Sequence, residues 1–146
     1  MPHQPANSPG FLLWHATLRW QREIAAALEP LDLTHVQFVL LACTWWLNMQ
    51  GEQPNQMTVS RQAGTDVKMA SQVLRTLESK GLIERMPDPV DTRAKRLKVT
   101  ERGAELAPRA IAAVEQVDQA FFAPCDNEAT LTFLRCLASL EQAAGR

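Results

Sequence analysis

The sequence predicts a mainly α-helical fold that carries one small β-hairpin. Three observations predict it. Apolar residues recur at helical spacing through most of the 146 residues. Two short runs, 82–86 and 95–99, read as strands, and the turn-rich segment PDPVDTR separates them. Just before that hairpin stand a short capped helix, a glycine-containing turn and a second helix. Helix, turn, helix and hairpin in this order make a winged helix-turn-helix, flanked here by further helices.

Residues 1–9 are polar and proline-rich, with neither a positive start nor an apolar run, so they read as a flexible arm and not a signal peptide. A helix is expected from Pro9 or Gly10 to about Leu28. It has two apolar stripes, one through Phe11, Trp14, Leu18, Ala25 and Leu28, the other through Leu13, Trp20, Ile24 and Ala27. A surface helix needs one stripe; two imply cover on both sides, as at a subunit interface. Residues 29–33 connect to a helix that Thr34 can cap, with Gln37 completing a capping box. That helix carries Phe38, Leu41 and Trp45 and ends before Gly51. Asn55 can cap a short helix that Gly64 stops, and Asp66 can cap the next. In it Val67, Ala70, Val73, Leu74 and Leu77 share an apolar stripe, while Lys68, Ser71, Gln72 and Arg75 share the other face. Gly81 suits its end. After the hairpin, Thr100 can cap a helix to about Phe122, in which Pro108 marks a kink or a break near Ala107. A last helix carries Leu131, Leu134, Leu137, Ala138 and Leu140. The whole reads as a single domain over residues 10–146. Residues 10–33 and 104–146 form dimerisation helices, and residues 34–103 form a DNA-binding lobe.

Hydrophobic residues at 46% and charged residues at 21% fit a globular chain and exclude bulk disorder. No apolar run reaches the roughly 18 residues of a membrane span, so the protein is expected in the cytoplasm without a membrane partner. The net charge is −1, yet residues 61–102 hold ten basic and six acidic residues, a local balance of +4. A basic segment in an acidic body suits a nucleic-acid contact. Cys43, Cys125 and Cys136 are odd in number and lack ligand spacing, which leaves buried small hydrophobes or, alternatively, a redox-responsive thiol. His3, His15 and His35 are scattered, so no metal is expected. There is no nucleophile elbow and no phosphate loop, so the sequence points to no catalytic residue, no cofactor and no enzyme.

Lys68, Ser71, Gln72 and Arg75 carry the donors and acceptors that read base edges in a major groove, Arg75 suiting guanine and Gln72 adenine. Arg93 at the hairpin tip suits a narrow minor groove, with Asp91 orienting it through a local ion pair. Lys95, Arg96 and Lys98 suit phosphates. The plainer alternative is a solvated charged face on a protein-interaction module. Trp14, Trp20, Trp45 and Trp46 fall in the first two helices, mostly as core or interface. Trp14, His15, Phe38 and Trp45 are the candidates for an aromatic pocket that takes an acidic ligand.

The stretches LDLTHVQFVLL, GTDVKMASQVLRTLESKGLIER and PDPVDTRAKRLKVTERG resemble the MarR family of bacterial transcriptional regulators, and the resemblance spans residues 10–143. Asp91-Thr92-Arg93 matches the family's Asp-x-Arg wing. The resemblance implies a homodimeric repressor on a palindromic double-stranded DNA operator, released by a small, often aromatic and anionic effector. The chain departs from the peroxide-sensing members, since it has no Tyr and no Cys before Cys43.

Overall fold

The computed structural model describes residues 4–91 and 93–139; the start of the expected arm with His3, Thr92, and the tail from Leu140 lie outside them. The elements are α1 (Pro9–Leu28), α2 (His35–Met49), α3 (Gln56–Ala63), α4 (Val67–Ser79), β1 (Ile83–Pro87), β2 (Lys95–Val99), α5 (Glu101–Phe122) and α6 (Asn127–Ala138). Short 3-10 turns cover Pro5–Asn7 and Glu29–Leu31, so the described part of the arm is wound before α1 begins.

The caps act as their residue types dictate. The Thr34 hydroxyl accepts the Gln37 N–H while the Gln37 amide oxygen accepts the Thr34 N–H, closing the capping box. Asn55, Asp66, Thr100 and Asp126 each accept a first-turn N–H of the helix they precede. Gly64 ends α3 at φ +75°, a backbone angle that glycine adopts without strain.

The core lies in the central lobe. Ile24 and Leu28 of α1, Leu40, Leu41 and Leu47 of α2, Val59 of α3, Ala70, Leu74 and Leu77 of α4, and Ile83, Leu97 and Val99 of the hairpin are buried together with Ala107, Ala110 and Val114 of α5. Each large member contributes about 1.5–3 kcal/mol on leaving water. β1 and β2 pair antiparallel from Ile83↔Val99 to Pro87↔Lys95. The first strand therefore starts one residue later than its apolar run. Leu82 instead donates its N–H to the Leu77 carbonyl and accepts the Thr100 N–H, finishing α4 and fastening the start of α5. On the other edge of β2 the Leu97 N–H reaches the Pro54 carbonyl, and Asn55 bridges Arg96. Asn48, at the end of α2, takes the Val99 N–H and donates to the Leu97 carbonyl.

Three expectations are corrected. Val67 is 44% exposed, because it precedes the first inward turn of α4. α5 runs unbroken through Pro108; the missing N–H leaves the Ala104 carbonyl on an exposed face, where water can take its place. Cys136 is exposed within the chain and so is not a buried small hydrophobe. The two ends of the molecule also lack internal cover. Phe11, Leu12, Leu13 and Trp14 of α1 are exposed, and α6 has no buried residue although it carries Leu131, Phe133, Leu134 and Leu137. Among the described residues no helix is long and apolar enough to cross a membrane.

Candidate nucleic-acid interface

The structure builds a reading unit from α3, α4 and the hairpin. The α3–α4 turn is held from inside. The buried Ser60 hydroxyl donates to the Thr65 carbonyl at 2.7 Å, and the Gln56 amide donates across to the Val67 carbonyl. α4 then seats Ala70, Leu74 and Leu77 in the core, which turns the opposite face outward. Lys68, Gln72 and Arg75 are exposed on that face and Ser71 is half-buried beside them. Lys68 and Arg75 enter none of the ion pairs among the described residues. Exposed Met69 stands one turn before Gln72, an apolar neighbour that the search for polar readers passed over.

The hairpin's basic residues divide. Arg93 and Lys95 are exposed and enter no ion pair among the described residues. Lys98 is exposed but faces Glu84 across the ladder, which offsets its charge. Arg96 does not extend as a phosphate-seeking cation. Its Nε donates to Asp88 Oδ2 at 2.8 Å and its Nη1 to the Gln53 carbonyl at 2.8 Å. The expected Asp91–Arg93 ion pair is also corrected: Asp91 Oδ1 accepts the backbone N–H of Arg93 at 3.0 Å. Asp88 was missed in the sequence. Its carboxyl accepts the N–H groups of Val90 and Asp91, and these, with Arg96 beside them, hold it below the usual carboxylate range. Its place between two prolines signals a turn, but not which cation it meets.

At the far end of α4 the Lys80 ammonium donates to the Asp32 carbonyl at 2.6 Å and to Gln37 Oε1 at 2.9 Å. The end of the outward-facing helix is thereby tied to the α1–α2 joint, 48 residues away in sequence. A cleft of about 560 Å³ opens beside this tie, lined by Ala25, Ala26, Glu29, Asp32–His35 and Lys80. Trp14, His15, Phe38 and Trp45 do not line it. Trp14 is 62% exposed and His15 packs on Phe11 at 4.3 Å, whereas Phe38 and Trp45 pack against the core, so one chain does not gather the four into a pocket. The aromatic group that does form is Trp20 on His35, 5.0 Å between ring centres, with the Trp20 N–H donating to Asp118 at 2.8 Å. Burial pushes the His35 imidazole below its ordinary value, and the Asp118 charge only partly opposes this. Burial pushes the Cys43 thiol up, which disfavours the reactive thiolate. No group of His, Cys, Asp and Glu among the described residues could hold a metal ion.

A family model described as an ArnR1-like winged-helix domain matches residues 29–118. The chain is 49% identical over 119 residues to the HTH-type transcriptional regulator YdcH of Bacillus subtilis, a match covering 82% of this chain and 81% of that one. It is 31% identical over 133 residues to the HTH-type transcriptional repressor Rv2887 of Mycobacterium tuberculosis, covering 90% and 91%. The structure of that MarR family protein in complex with salicylic acid superposes with a TM-score of 0.65 over 91% of this chain and 96% of that one. CouR from Rhodococcus jostii RHA1, bound to p-coumaroyl-CoA, is 26% identical and superposes with a TM-score of 0.82 over 95% of each chain. These relatives are named as regulators and none as an enzyme.

Proposed function

The chain belongs to the MarR family of winged-helix transcriptional regulators, and we propose that it acts in the cytoplasm as a homodimeric repressor that reads a palindromic operator. The observation that carries this is the outward face of α4, where Lys68, Ser71, Gln72 and Arg75 stand together while the opposite face is locked in the core. Two such helices about 34 Å apart meet successive major grooves. Arg93 enters the flanking minor groove, and Lys95 and Lys98 meet phosphates, which position the protein without reading sequence. The exposed apolar faces of α1 and α6 support pairing with a second copy, residues 10–33 and 104–146 making the seam.

The effector is a small aromatic carboxylate. Two relatives bear on this, one bound to salicylic acid and one to p-coumaroyl-CoA. In this chain the cleft beside Lys80 offers an ammonium that a carboxylate can draw away from Asp32. Loosening that tie shifts the end of α4, and so the spacing between the two reading helices.

Titration of Arg75→Ala against a duplex selected by the wild-type protein and against a scrambled one tests the reading. Discrimination should fall by about 1–3 kcal/mol. An equal loss on both duplexes would make Arg75 a phosphate contact only. Salicylate added to the wild-type complex tests the effector, and a complex that persists at saturating salicylate sinks that arm.

A further inference from the structure

We infer that Asp88 and Arg96 form a clip that positions the wing against the helix-turn-helix and thereby holds Arg93 ready for DNA. The inference rests on the DNA-reading function proposed above. It makes Arg96 a positioning residue and removes it from the phosphate contacts.

The hydrogen bonds form a continuous series. Gln53, just before α3, accepts from Arg96 Nη1, and Arg96 Nε donates to Asp88 Oδ2. Asp88 Oδ1 accepts the N–H groups of Val90 at 2.8 Å and Asp91 at 3.1 Å. Asp91 Oδ1 in turn accepts the N–H of Arg93. The root of the reading helices is thus linked to the wing tip through two side chains. The Asp88 side chain is only 12% exposed, so the pair is partly withdrawn from water, and such charge-assisted bonds are among the stronger ones. The Leu97–Pro54 bond and the Asn55–Arg96 bridge bring the same segment alongside β2, so the clip lies on an edge that is already paired. A wing ordered before binding avoids an ordering cost on the DNA. Lysine cannot replace arginine here, because one ammonium on a flexible stem does not span a carboxylate and a carbonyl in a fixed fork.

The test uses the full chain and a duplex selected from a random pool by the wild-type protein, with thermal melts to show that each variant folds. Arg96→Lys and Asp88→Asn should each weaken binding about tenfold while leaving the salt dependence unchanged. In the Arg96→Lys background, Arg93→Ala should cost less than about threefold, against about tenfold in the wild type, because a loose wing no longer delivers Arg93. Arg96→Met separates the alternative. A salt slope reduced by about two per dimer would make Arg96 a phosphate contact and overturn the inference, as would Arg93 and Arg96 effects that simply multiply. Hydrogen exchange on the free protein decides the clip without DNA. The amides of Val90 and Asp91 should exchange faster in Arg96→Lys and Asp88→Asn, with those of α4 unchanged; equal wing exchange overturns the inference. Failure of the wild type to form any salt-dependent complex would refute the DNA-reading function instead, and the exchange result would still stand.

Discussion

The central lobe and the terminal helices use similar amounts of apolar sequence in opposite ways. In the lobe, α2, α4, the hairpin and α5 bury their Leu, Ile and Val residues against one another, and side chains such as Asn48 and Ser60 have hydrogen-bond partners. At the ends, Phe11, Leu12, Leu13 and Trp14 face outward, as do Leu131, Phe133, Leu134 and Leu137. A large exposed apolar patch marks an interaction surface. The lobe therefore carries the reading geometry, and the ends carry what makes that geometry bivalent. Breaking each should give different symptoms.

The largest effect is expected at the ends. Leu134→Glu with Leu137→Glu places two charges on the open face of α6 and touches no buried residue. The chain should become monomeric by analytical ultracentrifugation, and operator affinity should fall by about 100-fold or more as the avidity of two half-sites is lost. An unchanged dimer would remove α6 from the seam. In the lobe the corresponding break is Gly103→Ala. A Cβ there would lie 2.0 Å from the Leu82 carbonyl oxygen, a backbone atom that cannot move aside without shifting β1. Chemical denaturation should show a loss of about 3 kcal/mol. The protein should unfold at lower denaturant yet still dimerise, the reverse of the α6 variant.

The same division explains what was legible in the sequence. Lobe elements announce themselves locally: Thr34 with Gln37, Asn55, Asp66 and Thr100 each mark a helix start within three residues, and the expected starts are the observed ones. The apolar period of α4 also fixes which face must turn outward. Partners far apart in sequence were not legible. Nothing near Lys80 names Asp32, and nothing near Arg96 names Gln53, so a tie and a clip were read as surface charge. Aromatic residues misled for a related reason. Trp14, His15, Phe38 and Trp45 look like a pocket by composition, but the helical phase of α1 sends Trp14 outward and that of α2 sends Trp45 toward the core. Trp20, one turn and a half further along α1, meets His35 and Asp118 instead.

The smallest expected effect lies where the two regions touch. His35 starts α2 under Trp20 of α1, and Asp118 of α5 completes the group. Burial lowers its folded pKa below the ordinary 6.5, so the unfolded chain takes up a proton first as pH falls. The unfolded state then binds more protons than the folded one, and stability rises with pH through this window. Stability should be full above about pH 7 and should decline as pH drops from 6.5 toward the lowered folded value. The Asp118 charge, which favours the imidazolium, and the partial exposure of the ring both keep the effect small. His35→Gln should flatten this slope between pH 7 and 5 in urea titrations while leaving the Gly103→Ala and α6 effects intact. In Asp118→Asn the imidazolium loses its one favourable charge, so the slope should steepen. A slope that survives His35→Gln unchanged would place the titration elsewhere, and the α1–α2–α5 junction would then be a packing joint without a charge of its own.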